Sequence, residues 1–257
     1  MRKLSFAAAA ALAVTIAAPA RAADLPLKTE TPFAARFTWT GCYLGGHLGG
    51  GFSHKDITDP VQLVQDSFAG APITTGVTTV SPSPTGAVIG GQIGCDYELA
   101  SSWVIGIEGA ASGSTMKDSK TVALPLGNPD SALVKARVEF LSSVTARIGY
   151  AFDNVLLYGR GGVALAQDRY NVIGSFLGTP FNFEGADNRI GWTAGGGVEW
   201  AFSRSWSTSI EYDHYAFGHS RILMSDPINA LAGIVDTKQS VDVVKVGLNF
   251  HIWGSGS

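Results

Sequence analysis

From residue 39 onwards the chain repeats one pattern, in which strand-like segments are joined alternately by long connections and by connections of two or three residues. Connections of two or three residues suit tight β-hairpins. Strict alternation over eight segments predicts a sheet with its short turns at one end and its long excursions at the other. The segments are Trp39–Phe52, Ala87–Leu99, Trp103–Ser114, Val138–Phe152, Val155–Gln167, Arg189–Phe202, Trp206–Phe217 and a last one from near Val241 to Trp253.

The four long connections differ in composition from the segments that they join. They hold most of the prolines and many of the acidic residues, and they cover residues 53–86, 115–137, 168–188 and 218–240. Because proline and charge both disfavour the interior of a sheet, we expect these connections to be polar loops.

The first 22 residues have the layout of a secretory signal peptide. A positive start at Arg2 and Lys3 precedes an apolar run, and Ala20-Arg21-Ala22 provides an A-x-A cleavage site. The apolar run is short for a membrane span, although a short N-terminal anchor helix is the alternative interpretation. We expect residues 1–22 to be a signal peptide and residues 23–37 to be a flexible periplasmic segment.

Cleavage would leave an acidic mature chain. Three of the 18 basic residues lie in the signal peptide, whereas all 21 acidic residues follow it, so the net charge falls from −3 to about −6. This charge argues against nucleic acid as a partner.

The mature composition suits a membrane, although no apolar run after residue 22 approaches the roughly 18 residues that a spanning helix needs. The chain is 46% hydrophobic and only 15% charged, against a usual charged share of about 25%. Most segments supply the roughly 9–11 residues with which a tilted strand crosses a bilayer. A soluble periplasmic β-protein is the alternative.

Strands can cross lipid only when every backbone group is paired, which requires a closed barrel. We therefore predict an all-β fold: an eight-stranded antiparallel transmembrane β-barrel over residues 38–253, with short periplasmic turns and four long extracellular loops. A flexible tail, residues 254–257, follows it. In the last strand, Val244, Val246, Leu248, Phe250 and Ile252 should face lipid, while Lys245, Asn249 and His251 face the lumen.

The same alternation places charged residues inside the barrel. The full inward set, which also includes Gln92, Asp96 and Glu98, has two arginines and a lysine among six carboxylates. An ion path or a catalytic acid pair is one interpretation, and structural packing of a narrow lumen is the favoured one. The predicted lumen charge network is Glu108, Arg147, Arg160, Glu199, Glu211, Asp213 and Lys245.

Two further features belong to the periplasmic end. Cys42 and Cys95 lie near the ends of the first two segments and face outward, so a disulfide between them is an open alternative to two free thiols. Aromatic residues, Tyr150 and Trp200 among them, cluster beside the short turns, as in the interfacial girdle of a barrel. The predicted aromatic girdle is Trp39, Trp103, Phe152, Phe202, Trp206 and Trp253.

No catalytic, metal or cofactor site emerges from the motifs. The five histidines lack a metal-ligand spacing, and "GGHLGGG" and "GRGGVA" are not followed by a helix that could bind phosphate. Some outer-membrane barrels are hydrolases that use Ser and His, but His219 and Ser220 are adjacent and would face opposite sides of a strand. We expect no enzyme activity, no cofactor and no metal.

An ordered set of fragments resembles the small outer-membrane surface proteins of alphaproteobacteria, the rhizobial and brucellar "porin family" barrels related to the membrane domain of outer membrane protein A. The fragments are "ADLP", "WTGCYLGGHLGGGF", "LLYGRGGVA", "GWTAGGGVEWAF", "EYDHYAFG" and "VKVGLNF". Cys42 departs from the aromatic residue that is usual in that family, and the chain continues past its last strand.

The resemblance implies an abundant, surface-exposed barrel in the Gram-negative outer membrane that supports envelope integrity, with some relatives known as antigens or haemin binders. The alternatives are a narrow, low-conductance channel and an adhesin or haemin-type receptor that acts through the loops. Expected partners are outer-membrane lipid and lipopolysaccharide, the barrel assembly machinery, and a host or small-molecule ligand at the loops.

Overall fold

Strands make up all the regular secondary structure of the residues that the structure describes, which are 37–58, 79–123, 131–176 and 178–252. The structure is a computed structural model. No helix in those ranges is long and apolar enough to cross a membrane. The strands are β1 (Gly41–Thr58), β2 (Thr79–Val80), β3 (Thr85–Glu98), β4 (Trp103–Ser114), β5 (Lys117–Ala123), β6 (Ser131–Phe152), β7 (Val155–Phe176), β8 (Thr179–Ala201), β9 (Trp206–Asp226) and β10 (Leu231–His251).

Several predictions made from the sequence fall outside the described residues. These are the signal peptide, the periplasmic segment up to residue 36, Trp253 and the tail. They stay predictions.

Eight of the strands form a ring. β1 pairs antiparallel with β10 on one side and with β3 on the other, and the order around the ring is β1–β3–β4–β6–β7–β8–β9–β10. The last strand lies against the first with Tyr43 opposite His251 and Leu48 opposite Val246. Closure of this kind removes the sheet edges that an open sheet would expose. The expected eight-stranded antiparallel barrel is confirmed.

The outer face of the ring carries exposed apolar side chains around its whole circumference. Ile89 and Ile190 expose 71% and 73% of their surface, which suits a side chain that meets lipid. We call this surface the apolar belt. Its members include Leu44, Leu48, Phe52, Ile89, Ile93, Ile105, Ile107, Val144, Ile148, Leu157, Val163, Leu165, Ile190, Val198, Ile210, Val244, Val246 and Leu248.

The extracellular half differs from the expectation of polar loops. β7 and β8 run on to Phe176 and from Thr179, so residues 168–188 are mainly strand. Residues 218–240 are also mainly strand, and β6 begins at Ser131 instead of near Val138. The connections 168–188 and 218–240 are long because paired strands rise well beyond the apolar belt before they turn.

The cause is an inversion of the two faces above the belt. Val134 and Ala136 of β6 point inward and are 1% exposed, while the residues that follow each of them, Lys135 and Arg137, point outward. Water surrounds this part of the barrel, so apolar side chains are buried inside it. The resulting upper core is Ile57, Ala132, Val134, Ala136, Tyr170, Val172, Phe181, Phe183, Ile222, Met224 and Val235.

Most of the expected girdle residues lie exposed at the turn end of the barrel. Trp103 contacts Tyr150 edge-on at 5.7 Å between ring centroids, and Trp200 contacts Phe202 at 5.9 Å. The exposed aromatic side chains at this end are Trp103, Tyr150, Phe152, Trp200, Phe202 and Trp206.

Trp39 is not part of the girdle, contrary to the prediction. It is only 1% exposed, because its side chain packs into a buried cluster with Val104, Leu156 and Ala201. Its backbone N–H donates to Glu98 Oε2 at 3.0 Å, and its indole N–H donates to the carbonyl of Asp153 at 3.2 Å. Trp39 therefore covers the periplasmic mouth of the barrel.

Candidate functional site

Arg147 on β6 lies in the lumen at the level of the apolar belt. Its guanidinium donates to both carboxylate oxygens of Asp96, with Nε to Oδ1 at 2.6 Å. Nη1 donates to Glu199 Oε2 at 3.2 Å and lies 3.9 Å from Glu108 Oε2. Carboxylates from three other strands thus surround one cation.

Arg160 on β7 has a matching set of partners. It donates to both oxygens of Asp213, with Nε to Oδ1 at 2.7 Å, and its Nη1 donates to Glu108 Oε1 at 2.5 Å. Nη2 lies 2.8 Å from Glu211 Oε2. Lys245 Nζ lies 3.2 Å from carboxylate oxygens of both Glu211 and Asp213.

Sheet register explains this arrangement. Arg147 and Arg160 are directly opposite each other on neighbouring strands. Gly106 separates Arg147 from Asp96, and Gly195 separates Arg160 from Asp213, so each arginine reaches its aspartate across a glycine. A β-carbon at either glycine would collide with the aspartate carboxylate. The row Asp96–Gly106–Arg147–Arg160–Gly195–Asp213 therefore crosses six strands.

Hydroxyl and amide groups complete the network. Tyr43 Oη donates to Glu108 Oε2 at 2.6 Å, and Tyr158 Oη donates to Glu211 Oε1 at 2.7 Å. The Asn249 amide donates to Glu199 Oε1 at 2.8 Å. The Arg147 guanidinium also lies 4.8 Å from the ring centroid of Tyr43 and 5.0 Å from that of Tyr158, within range of a cation–π contact.

Three cations and five carboxylates are buried in this lumen charge network, with side chains at most 3% exposed. Buried charges of this kind are tolerated only when they are paired and hydrogen-bonded. Each charged side chain of the network has an opposite charge within 4 Å, so this condition is met.

Apolar layers close the lumen below and above the network. The lower layer includes Trp39, Val104 and Leu156. The middle layer, above the network, includes Met116, Leu141 and Tyr215. Farther out, beyond a second polar layer, lies the upper core described above.

Lys55, Asp168 and Arg189 form the centre of the second polar layer, at the extracellular edge of the apolar belt. Lys55 and Asp168 lie three residues beyond Phe52 and Leu165, the last belt residues of their strands, and so outside the membrane-spanning segments. Lys55 Nζ donates to Asp168 Oδ1 at 2.8 Å and to Tyr170 Oη at 3.2 Å. Arg189 Nε lies 3.4 Å from Asp168 Oδ2 and 2.9 Å from Asp187 Oδ2. Burial lowers the pKa of the Lys55 amine to about 8, although the Asp168 carboxylate acts to raise it.

All seven residues of the predicted lumen network lie inside the barrel, and Asp96 joins them. The sequence reasoning missed the second polar layer, because Lys55 and Asp168 lie in segments that were expected to be loops. The signal was present in the alternation of Asp168, Tyr170 and Val172 along one face.

Cys42 and Cys95 are directly opposite each other on β1 and β3 and form a disulfide. Both belong to the outward-facing positions of their strands. The bond links two neighbouring strands covalently near the periplasmic end.

The candidates for catalysis are not brought together. His219 is exposed on the outer face above the belt, whereas Glu211 and Asp213 are buried in the lumen. Among the described residues, no group of three or more His, Cys, Asp or Glu side chains has a geometry that could hold a metal ion.

A closed eight-stranded ring with an apolar belt and a charged interior defines an outer-membrane β-barrel. The chain belongs to the outer membrane protein beta-barrel domain family, whose model matches residues 6–251. It is located in the outer membrane of a Gram-negative cell.

The relatives belong to the alphaproteobacterial type of small outer-membrane barrel. The chain is 26% identical to the 31 kDa outer-membrane immunogenic protein of Brucella melitensis biotype 1, over 94% of this chain and 97% of that protein. It is also 26% identical to the 25 kDa outer-membrane immunogenic protein of Brucella abortus biovar 1, over 93% of this chain and 91% of that protein. Among solved structures, outer membrane protein OprG of Pseudomonas aeruginosa is 15% identical with a TM-score of 0.46, covering 82% of this chain and 97% of OprG.

Proposed function

We propose that the protein is a structural component of the outer membrane, which supports the envelope without conducting solutes through its lumen or catalysing a reaction. The observation that carries this proposal is the filled interior. Charged and apolar side chains alternate in successive layers along the barrel, and the charged ones at belt level are at most 3% exposed.

A channel would need a continuous wet path, and each layer opposes one. Arg147 and Arg160 are held by direct contacts to carboxylates on several strands, so their side chains are fixed across the lumen. Apolar layers on both sides exclude ions from the narrow interior of an eight-stranded barrel. These features favour the structural role over the low-conductance channel.

A second candidate function, attachment or ligand binding at the surface, has its own support. Leu223 and Ile234 are directly opposite each other on β9 and β10, above the apolar belt, and are 65% and 66% exposed. Ile228 at the turn between these strands is exposed as well. Clustered apolar side chains in water often mark a contact surface, and a host surface or a haemin-type ligand would fit there.

Complementation of a deletion strain separates the two functions. We expect deletion to increase uptake of a hydrophobic dye and leakage of periplasmic enzymes. The wild-type gene and an L223T/I234T variant should both restore the barrier, because the barrel itself is intact in each. If the surface patch binds a ligand, the wild-type gene should also restore attachment of the cells to host cells or to haemin, whereas the L223T/I234T variant should not.

An unchanged barrier after deletion, with the protein abundant in wild-type cells, would contradict the structural role. Surface labelling and heat-modifiable migration of each variant provide the control for correct assembly.

A further inference from the structure

Above the apolar belt, one sector of the outer surface carries a row of cations. Lys117 on β5 is opposite Arg137 on β6, and Arg137 is opposite Arg169 on β7. Lys135 lies two residues farther along β6 and is also exposed. Like charges directly opposite one another destabilise a sheet, so this row carries an electrostatic cost in the absence of an anion.

The acidic residues nearby offset only part of this charge. Glu139, at a bulge in β6, lies 2.9 Å from Arg169 Nε and 3.7 Å from Arg137 Nη1. Glu184 on β8 accepts a hydrogen bond from Asn182 at 2.8 Å. The side chains of Arg137 and Arg169 stay 57% and 67% exposed, so a further anion can reach them.

A hollow of about 860 Å³ lies among these side chains. Its lining includes four cations, Lys117, Lys135, Arg137 and Arg169, against two carboxylates, Asp118 and Glu184. Arginine binds phosphate through paired N–H donors, and lysine adds a point charge. The hollow therefore has the size and the charge for a phosphorylated headgroup.

A second hollow, apolar and about 670 Å³ in volume, lies lower on the same side of the barrel, within the apolar belt. Its floor is made of small side chains, including Gly109 and Ser142, and its walls include Val144, Val163 and Leu165. Small residues between larger ones leave a depression in which an acyl chain can lie.

The two hollows are stacked along shared strands. On β7, Leu165 lines the apolar hollow and Arg169 lines the basic one. Four residues of strand cover about 13 Å, and less along the membrane normal because strands in a barrel are tilted. This offset matches a lipid whose acyl chains begin just below a phosphate-bearing headgroup.

We propose that this face binds an acylated, phosphorylated glycolipid of the outer leaflet, with its phosphates on Lys117, Arg137 and Arg169 and an acyl chain in the apolar hollow. The lipid neutralises the row of like charges, and the barrel gains a fixed orientation relative to the outer leaflet. This inference depends on the membrane location and not on the proposed structural function.

Binding measurements on the full barrel in phosphate-free detergent micelles test the proposal. The probes are diphosphoryl lipid A, the same lipid after removal of its phosphates, and inorganic phosphate, with bound species counted by native mass spectrometry. We expect the diphosphorylated lipid to bind at least tenfold more tightly than the dephosphorylated one. The R137Q/R169Q variant should lose most of this difference.

Matched variants on other strands serve as controls. R221Q/K238Q removes two exposed cations from β9 and β10 and should keep the wild-type affinity within about twofold. G109L fills the apolar hollow, where an added β-carbon meets no atom within 4 Å, and should weaken binding of the lipid severalfold. G50L makes the same change at another open, outward-facing position on β1 and should not.

Equal binding of the two lipids, or equal losses in R137Q/R169Q and R221Q/K238Q, would overturn the proposal. Inorganic phosphate that competes fully with the lipid, together with wild-type binding by G109L, would instead assign the cations to a free anion and refute the lipid site.

Discussion

Arg147 and Arg160 lie side by side on neighbouring strands, so each needs a carboxylate on its other side. Asp96 and Asp213 meet this need across Gly106 and a second glycine in the same row. Such a network stabilises the barrel only while it is complete, because removing one partner leaves the others buried without a counter-charge. The contribution of the lumen to the free energy of unfolding therefore depends on a few side chains.

Replacing Arg147 with methionine keeps most of the side-chain volume but removes the charge. Asp96 and Glu199 then lose their cation in a buried site, and we expect the free energy of unfolding to fall by about 3–5 kcal/mol. The measurement is the urea midpoint at which the barrel in micelles loses its heat-modifiable migration.

The control for this variant is Arg221→Met. Arg221 is 81% exposed and lies 3.5 Å from Asp236 on the barrel surface, so its loss should change stability by no more than about 0.5 kcal/mol. Equal midpoints for the two variants would show that the lumen network does not stabilise the barrel.

The strands have two parts with opposite face chemistry. Within the belt, apolar residues point out and charges point in, and this alternation over about ten residues is what a sequence can reveal. Beyond the belt, Lys135 and Arg137 point out while Val134 and Ala136 point in. The belt pattern alone therefore predicts that a strand ends where its outward face becomes polar. This is why loops were expected from residues 168 and 218, where β7 and β9 in fact continue.

Contacts between distant strands are also invisible in the sequence. Lys55 and Asp168 are 113 positions apart and meet only because β1 and β7 rise to the same level of the lumen. Trp39 was misplaced for a related reason, since nothing in its neighbourhood distinguishes an aromatic residue that folds inward from one that faces lipid. The lumen residues of the belt were predictable because alternation alone assigns their face.

The lowered pKa of Lys55 gives a test of the second polar layer. The pKa of the Lys55 amine is about 8 in the folded barrel, against 10.5 for an unburied lysine. Between these two pH values the unfolded chain therefore binds more protons than the folded barrel. Stability should rise as the pH increases from about 8 to 10.5, and the cost of burying the charged amine should be fully present below pH 8. An NMR titration of the labelled Lys55 amine should have its midpoint near 8.

The same amine in the urea-unfolded chain provides the reference and should titrate at the ordinary lysine pKa of about 10.4. The difference in unfolding free energy between wild type and Lys55→Met should follow the same pH range, with wild type gaining as pH rises. A Lys55 midpoint in the folded barrel that coincides with the midpoint in the unfolded chain would mean that the amine is not buried against Asp168 and Tyr170.

The barrel as a whole is a stack of layers. An apolar layer at the periplasmic mouth, the lumen charge network, a middle apolar layer, the second polar layer and the upper core follow one another along the axis. Cys42–Cys95 fastens the first two ring strands near the periplasmic end. With these layers inside the barrel, the outer surface is where the protein meets lipid.

Conductance across a planar bilayer tests the closed lumen most directly. Purified barrel is reconstituted into vesicles that also carry a polyene antibiotic, whose transient current reports each fusion with the bilayer. Heat-modifiable migration of the protein recovered from these vesicles confirms that it is folded. We expect fusion events without any reproducible single-channel steps from the protein. Uniform steps that accompany each fusion of protein-containing vesicles, and are absent from protein-free ones, would contradict a sealed lumen and establish the channel function.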